Sequence, residues 1–326
     1  MLITRTPFRM SFFGGGTDYF EYFSRFGGSV ISTTIDKYCY VSMRRFPPFF
    51  EYKNQFTYSK IERFNEPDEL QHPLVKAALK YIPVDGVQIT YDADLPACSG
   101  IGSSSAFAVG LLQGLHGLNN EYPDKMTLAK QAIHLERDLC NEAGGMQDQI
   151  AAAFGGFNRI NFSENGYDVI PLDVSPEKLS ELEGNLLLMF TGFTHFSAKI
   201  ASAQQKNIDA TLSQLHEMKA MTDEAEKSIV SGNVDDFGCM LNKTWGLKRT
   251  LSDRITTDAI DTIYSKALKF GAFGGKLLGA GGGGFMLLYV PKEKQKKFIE
   301  EFSEFKFIPF KFESTGTKII YENQLI

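Results

Sequence analysis

PACSGIGSSSAFAVGLLQGLHGL, Pro96–Leu118, decides how the rest of the chain is read. It opens on a proline-bounded turn, passes through two glycines and three consecutive serines, and becomes apolar at helical spacing through Phe107, Val109, Leu111, Leu112 and Leu115. The pattern predicts a loop feeding the N-terminus of a buried helix. Gly100 and Gly102 admit backbone conformations and close approaches that a side chain would block. Ser103, Ser104 and Ser105 bring hydroxyls beside first-turn N–H groups that have no intrahelical partner. With the helix dipole, such a place attracts anions, phosphate above all. A capped core helix behind a glycine turn is the plainer reading, but capping alone needs one serine and one glycine, not this density of both.

Downstream, TLAKQAIHLERDLCNEAGGMQDQIAAAFGGFNRINF predicts a second helix, a break at Gly144–Gly145, a third helical piece and a strand. Glu136 closes the second helix and Asp148 follows the break among small and apolar neighbours. A lone helix carboxylate is ordinarily a solvated surface group. Beside a phosphate loop the two gain a purpose, since a magnesium nucleotide needs oxygen ligands and phosphoryl transfer needs a positioned carboxylate. Upstream, LITRTPFRMSFF reads as a strand ending at Gly14, where the GGGTDY turn (Gly14–Tyr19) sets Thr17 and Asp18 on a loop. That turn fits either a hairpin with an Asx cap or a ligand-binding loop. GGSVISTTIDKYCYVSMRRF and FEYKNQFTYSKIERF, separated by Pro47–Pro48, predict antiparallel strands; Pro73–Tyr81 predicts a helix, and Val87–Pro96 a strand entering the serine loop.

From Leu186 the character changes. LLLMFTG predicts a buried strand, Thr194–Ile229 one long helical tract, and Val234–Leu251 a helix around Trp245. GAFGGKLLGAGGGGFMLLYV, PFKFES and TKIIYE predict strands, with a helix through Lys292–Phe302 between them. The polar SPEKLSELEG connection suggests a boundary near Ser180, giving domains 1–180 and 181–326, the second of α+β type.

Composition narrows the function. Across 326 residues, 43% hydrophobic and 22% charged content is that of an ordinary water-soluble protein, and no apolar run is long enough to span a membrane. Arg5, Arg9 and Asp18 interrupt the N-terminus, which therefore does not read as an export signal, and a cytoplasmic protein is expected. A net charge of −5 gives no reason to expect nucleic acid as a partner. The four cysteines, Cys39, Cys98, Cys140 and Cys239, are too scattered for a zinc site or a disulfide framework. Gly279–Gly284 formally matches G-x-G-x-x-G, but a dinucleotide loop opens a helix, whereas FMLLYV after it reads as a strand. No Walker A sequence and no H-R-D triplet occurs, and the D-F-G at Asp236–Gly238 stands alone in a helical stretch without the rest of the protein-kinase set.

Three separated segments together resemble the signature motifs of the GHMP kinases: RTPFRMSFFGGGTDYF the first, PACSGIGSSSAFAVG the second and KLLGAGGGGF the third, in that order over nearly the whole chain. Within that family GGGTDY, GGSVISTTIDKY and WGLKRTLSDRI are most similar to bacterial D-glycero-D-manno-heptose phosphate kinases. Gly15 and Gly16 stand where galactokinases carry an acidic-histidine pair, which turns the expectation away from galactose.

The resemblance implies an α+β fold with an N-terminal domain like ribosomal protein S5 domain 2, a C-terminal ferredoxin-like domain and the site in the cleft between them. It implies that Ser99, Gly100, Ile101, Gly102, Ser103, Ser104 and Ser105 wrap the phosphates of ATP, and that Ser104 and Glu136 hold Mg²⁺. Asp148 corresponds to the catalytic aspartate, Arg9 to an arginine that stabilises charge near the transferred phosphoryl, and Thr17, Asp18, Gly281 and Gly282 to the substrate side. The implied reaction is transfer from ATP to the anomeric C1 hydroxyl of D-glycero-D-manno-heptose 7-phosphate. The alternatives are an unphosphorylated sugar of the fucose or galactose type, a heptose 1-phosphate, or a non-catalytic sugar- or nucleotide-binding protein. Arg44, Arg45, Lys248 and Arg249 are the cations available for a substrate phosphate.

Overall fold

The apolar stretch that follows Arg5 forms the later part of β1 (Leu2–Phe13), buried on both faces from Thr6 onward. It is covered by helices on both sides, which is why alternation fades there. A computed structural model describes residues 1–193 and 197–323. After β1 come α1 (Phe20–Phe26), β2 (Gly28–Arg45), the hairpin β3 (Asn54–Thr57) and β4 (Ile61–Phe64), α2 (Pro73–Tyr81), β5 (Val87–Ala93) and α3 (Ser103–Leu118). Then follow α4 (Lys125–His134), α5 (Gln147–Phe154), β6 (Phe157–Ser163), β7 (Gly166–Pro171), α6 (Pro176–Asn185) and β8 (Leu186–Phe190). The chain continues through α7 (Ser197–Lys206), α8 (Leu212–Val230), α9 (Val234–Arg249), α10 (Asp258–Lys269), β9 (Gly274–Leu277), β10 (Phe285–Tyr289) and α11 (Lys292–Glu301). It closes with β11 (Lys306–Ile308), β12 (Phe312–Glu313) and β13 (Lys318–Glu322).

The first sheet runs β13-β1-β2-β5-β3-β4. β2 is long enough to pair along its length with β6, β12 and β5 in turn, while β1 accompanies it on the other edge. Helix α3 lies across β1 and β2 at very short range. Gly110, Gly114 and Gly117 make this possible: a Cβ on them would come within 2.7, 2.7 and 2.4 Å of Thr6, Met43 and Leu2 side chains. Their spacing puts them on one helix face, so the sequence presses α3 onto the sheet and fixes where its N-terminus opens. The second sheet has the order β11-β8-β10-β9 with every pair antiparallel. In chain order that is 4-1-3-2, the ferredoxin-like arrangement. Trp245 of α9 is buried in its core with Met286 and Leu288 of β10.

Three expectations need correction. Ser180 lies inside α6, whose N-terminus Ser175 caps by accepting from Lys178 N and Pro176 begins, so the polar connection is itself a helix. PFKFES and TKIIYE do not join the second sheet: β12 pairs with β2 and β13 with β1, so the end of the chain returns to the first sheet. The return is stitched by a 2.8 Å hydrogen bond between the Thr6 and Thr317 hydroxyls. Of the helical tract expected over Thr194–Ile229, residues 194–196 lie outside those described, and the rest breaks at 207–211. There Asn207 Nδ2 donates to Leu251 O at 2.8 Å and the Thr211 hydroxyl donates back to Asn207 O at 2.9 Å. Among the described residues no helix is long and apolar enough to cross a membrane.

Candidate active site

A cavity of about 730 Å³ opens where the serine loop, the GGGTDY turn, the start of α5 and the late glycine loop converge. Its centre is an ion pair. Arg9 Nε and Nη2 donate to Asp148 Oδ1 and Oδ2 at 2.7 and 2.6 Å, and Nη1 donates to Gly100 O at 2.6 Å. The Arg9 side chain is 5% exposed and that of Asp148 24%, so the carboxylate is the partner that faces the cavity. The first turn of α5 carries Asp148, a favourable place for a carboxylate in the helix dipole. Arg9 N also donates to Ile101 O at 3.0 Å, which docks the serine loop on β1.

The serine loop turns into α3 through Gly102, at φ +73°, with no side chain capping the helix. The first intrahelical bond runs from Ala106 N to Gly102 O, so the N–H groups of Ser103, Ser104 and Ser105 have no helix partner. The hydroxyls are engaged elsewhere: Ser104 Oγ donates to Glu136 Oε1 at 2.8 Å and Ser105 Oγ to Glu136 Oε2 at 2.7 Å. Glu136 is placed by a π turn, Leu135–Leu139, at the end of α4, a distortion often found at functional sites. Gln149 Nε2 donates to it as well. The result is an uncapped helix N-terminus with a hydroxyl–carboxylate pair beside it.

On the other wall, Asp18 is buried beneath the turn. Gly16 N donates to its Oδ1 at 2.9 Å, and Gln147 N and Nε2 donate to its Oδ2 at 3.2 and 3.0 Å. Burial, more than the nearby Asp148 charge, raises its pKa, while those hydrogen bonds work the other way. Three buried polar atoms of cavity-lining side chains here, Ser11 Oγ, Gln147 Oε1 and Arg137 Nε, lack a protein partner among the described residues. Unsatisfied groups gathered at one cavity wall are the mark of a polar ligand's place. The opposite end is aromatic: Phe56 and Tyr58 stack at 4.8 Å, Tyr91 meets Phe107 edge-on at 4.8 Å, and His72 stands over Phe56. Burial lowers the His72 pKa, and its Nδ1 has no protein partner among the described residues.

Most of the residues singled out from sequence meet here: Arg9, Asp18, Gly100, Gly102, Ser103, Ser104, Ser105, Glu136 and Asp148 all line the cavity. Five do not. The Thr17 hydroxyl lies buried under the turn, donating to Gly14 O and Ser29 O at 2.8 and 2.9 Å, so it shapes the turn rather than touching a substrate. Ser99 donates to Pro96 O at 2.6 Å, and Ile101 points its side chain into the core. Gly281 and Gly282 pack on Ile255, with Gly282 N donating to Ile255 O at 2.8 Å; Gly279 and Ala280 line the cavity instead. Of the four cations considered for a substrate phosphate, only Lys248 lines it. Arg44 donates to Gln88, Arg45 to backbone carbonyls of Asp85 and Leu118, and Arg249 pairs with Asp261. Lys276, Glu142 and the aromatic wall escaped the sequence reading, because a lysine inside an apolar strand and aromatics scattered over strands, loops and a helix carry no local pattern.

The donor set suits Mg²⁺. Ser104 and Glu136 present hard oxygens, and Glu142 lines the same wall with its pKa pushed up to about 7 by burial and then by the Glu136 charge. A divalent cation beside such carboxylates is favoured. Among the described residues no three His, Cys, Asp or Glu side chains form an all-protein cage, and Mg²⁺ shared with a nucleotide's phosphates needs none.

Comparison with known proteins decides the family. Residues 72–156 match the model described as GHMP kinases N terminal domain, and residues 225–306 match GHMP kinases C terminal. The chain belongs to the GHMP kinases. It is 28% identical over 312 residues to a D-glycero-alpha-D-manno-heptose 7-phosphate kinase of Campylobacter jejuni, covering 91% of each chain. It is 25% identical over 336 residues to a galactokinase of Pyrococcus furiosus, covering 90% of each. Among solved structures, a D-glycero-D-manno-heptose 1-phosphate kinase of Bacteroides thetaiotaomicron superposes with a TM-score of 0.82 at 23% identity, over 99% of this chain and 100% of that one. As a GHMP kinase the protein is a phosphotransferase that uses ATP and an alcohol acceptor.

Proposed function

We propose that this GHMP kinase transfers the γ-phosphoryl of ATP to the anomeric C1 hydroxyl of D-glycero-D-manno-heptose 7-phosphate. The observation that carries the chemistry is Asp148, held by Arg9 beside the uncapped N-terminus of α3. Three N–H groups there suit the nucleotide phosphates, and the aromatic wall with its free His72 nitrogen suits the base. Asp18, Ser11 and Gln147 suit sugar hydroxyls. The sugar identity rests on the likeness to the Campylobacter enzyme over nearly the full length of both chains, together with Gly15 and Gly16 at the galactokinase-distinguishing positions.

In this reading the acceptor hydroxyl hydrogen-bonds to Asp148. Its oxygen attacks the γ-phosphorus in line as the bond to the ADP oxygen breaks, and its proton passes to an Asp148 oxygen. Both Asp148 oxygens already accept from Arg9, but each keeps a lone pair for the substrate. Arg9 has two of its five N–H groups left for developing charge. Mg²⁺, held by Ser104 and Glu136, would neutralise phosphate charge.

Ser104→Ala removes one of those oxygens without touching the N–H groups of the loop. It is expected to raise the Mg²⁺ concentration for half-maximal ATP binding by about tenfold. A titration of nucleotide binding against Mg²⁺ checks it, and an unchanged requirement would remove Ser104 from the metal site. For the substrate, ADP release is measured with heptose 7-phosphate, heptose 1-phosphate, fucose, galactose and mannose. We expect the highest kcat/KM with heptose 7-phosphate, by at least about tenfold over the unphosphorylated sugars. Preference for one of the others reassigns the sugar, and turnover with none would turn the reading toward a binding protein.

A further inference from the structure

The cavity is lined by a lysine that no carboxylate among the described residues pairs. Lys248 on α9 is buried, and its Nζ donates to the carbonyl oxygens of Leu277, at 3.1 Å, and Gly279. Among the described residues it forms no ion pair. Four charged or titratable groups face it: Arg9 from β1, Asp18 from the GGGTDY turn, Asp148 from α5 and Lys276 from β9. Asp148 is matched by Arg9, and Asp18 is hydrogen-bonded by Gly16 and Gln147, so neither carboxylate is committed to the lysine. Lys276, also buried, donates to Phe12 O at 2.9 Å. An unpaired ammonium in such a place is strongly disfavoured.

Burial, and then the Arg9 charge, push Lys248 down to about 7, with Asp18 and Asp148 opposing. Burial, and then the Lys248 charge, hold Lys276 well below the ordinary lysine range, so the two amines oppose each other's protonation. A neutral Lys248 amine satisfies both carbonyls with its two N–H groups. Protonation adds a third N–H, and the cavity that Lys248 lines is where a partner for it must come from.

We infer that Lys248 is the cation that receives a phosphate dianion brought into this cavity. The dianion is either the γ-phosphate of the nucleotide or the phosphate carried by the sugar; the chemistry of recognition is the same for both. On binding, a proton from solvent adds to the Lys248 lone pair, and the new ammonium meets the phosphate oxygens while keeping its two carbonyl contacts. The inference rests on phosphoryl transfer at this site and not on which sugar is used.

Calorimetric titrations at pH 8.0, repeated in two buffers of different ionisation enthalpy, test it. The probes are Mg·ADP, Mg·ATPγS and D-glycero-D-manno-heptose 7-phosphate, each alone. The expected result is uptake of about one proton per site with Mg·ATPγS or with the heptose phosphate, beyond any seen with Mg·ADP, fading toward pH 6 where Lys248 is already protonated. Uptake with Mg·ATPγS assigns the γ-phosphate, and uptake with the heptose phosphate assigns the sugar's own. Lys248→Met is expected to abolish the uptake and to lower kcat by about 10²-fold. No uptake in either phosphate arm of the wild type overturns the inference without need of a variant, as does uptake that persists in a folded Lys248→Met. A heptose phosphate that fails to bind, with proton uptake intact for Mg·ATPγS, counts against the sugar assignment alone.

Discussion

Asp148→Asn is expected to lower kcat by about 10²- to 10⁴-fold while the KM for ATP changes little. Asparagine keeps the size of the side chain but removes the charge that, in the proposed mechanism, accepts the hydroxyl proton. It also replaces one acceptor by an NH₂ group, so the two-pronged contact with Arg9, at 2.7 and 2.6 Å, survives only on one prong. Arg9 is left buried with a partial partner, at a cost of about 1–3 kcal/mol in stability. Rates therefore belong at 25 °C, well below the variant's melting temperature, with circular dichroism showing that it is folded. The two effects separate in the measurement: lost positioning of the loop through Arg9 and Gly100 would raise the KM for ATP, whereas lost proton acceptance lowers kcat at saturating ATP. Near-full turnover in a folded Asp148→Asn removes the aspartate from the mechanism.

What the sequence disclosed follows the range of the interaction concerned. The loop into α3, the strand ending at Gly14 and the position of Asp148 just after a glycine break were legible because turn chemistry and helical spacing are local. α1 was not, since seven residues after a tight turn give no period to read. Glu136 and Asp148 stand 12 residues apart around a π turn, so their convergence on one cavity was available only through the family resemblance. β12 and β13 read correctly as strands, but nothing in PFKFES or TKIIYE says which sheet they join; that depends on the edges of β1 and β2, some 270 or more residues earlier. Lys248 and Lys276 illustrate the hardest case. On a helix or in a strand a lysine reads as surface, and its burial here is set by contacts with segments distant in the chain.

Gly279→Ala is expected to cost about 2–4 kcal/mol of stability and to reduce kcat/KM for ATP by at least about tenfold. From sequence, the run Gly279–Gly284 is set apart from a dinucleotide loop, with Gly281 and Gly282 expected on the substrate side. In the fold it clasps the second sheet to the serine loop, backbone against backbone. Gly279 sits at φ +71°, and a Cβ there would come 2.4 Å from Gly100 Cα and 3.0 Å from Gly100 O. Gly100 in turn has no room, since its own Cβ would meet Leu278 O at 2.4 Å, and farther along Phe285 N donates to Ser99 O at 3.0 Å. None of these atoms can move without its loop. An alanine at 279 must therefore adopt a strained left-handed backbone and also push the serine loop away from it, shifting Gly100 O from Arg9 and Gly279 O from Lys248. A shift of an ångström at the serine loop is enough for the loss in rate. Gly246 supplies the contrast: it lies exposed on α9, with open space where a Cβ would go. Gly246→Ala should raise the melting temperature slightly and leave kcat/KM alone. Calorimetric melting and ATP-dependent ADP release on the two variants decide the matter; a Gly279→Ala protein as stable and as active as Gly246→Ala would show that the glycines join the two halves by coincidence of packing and not by need.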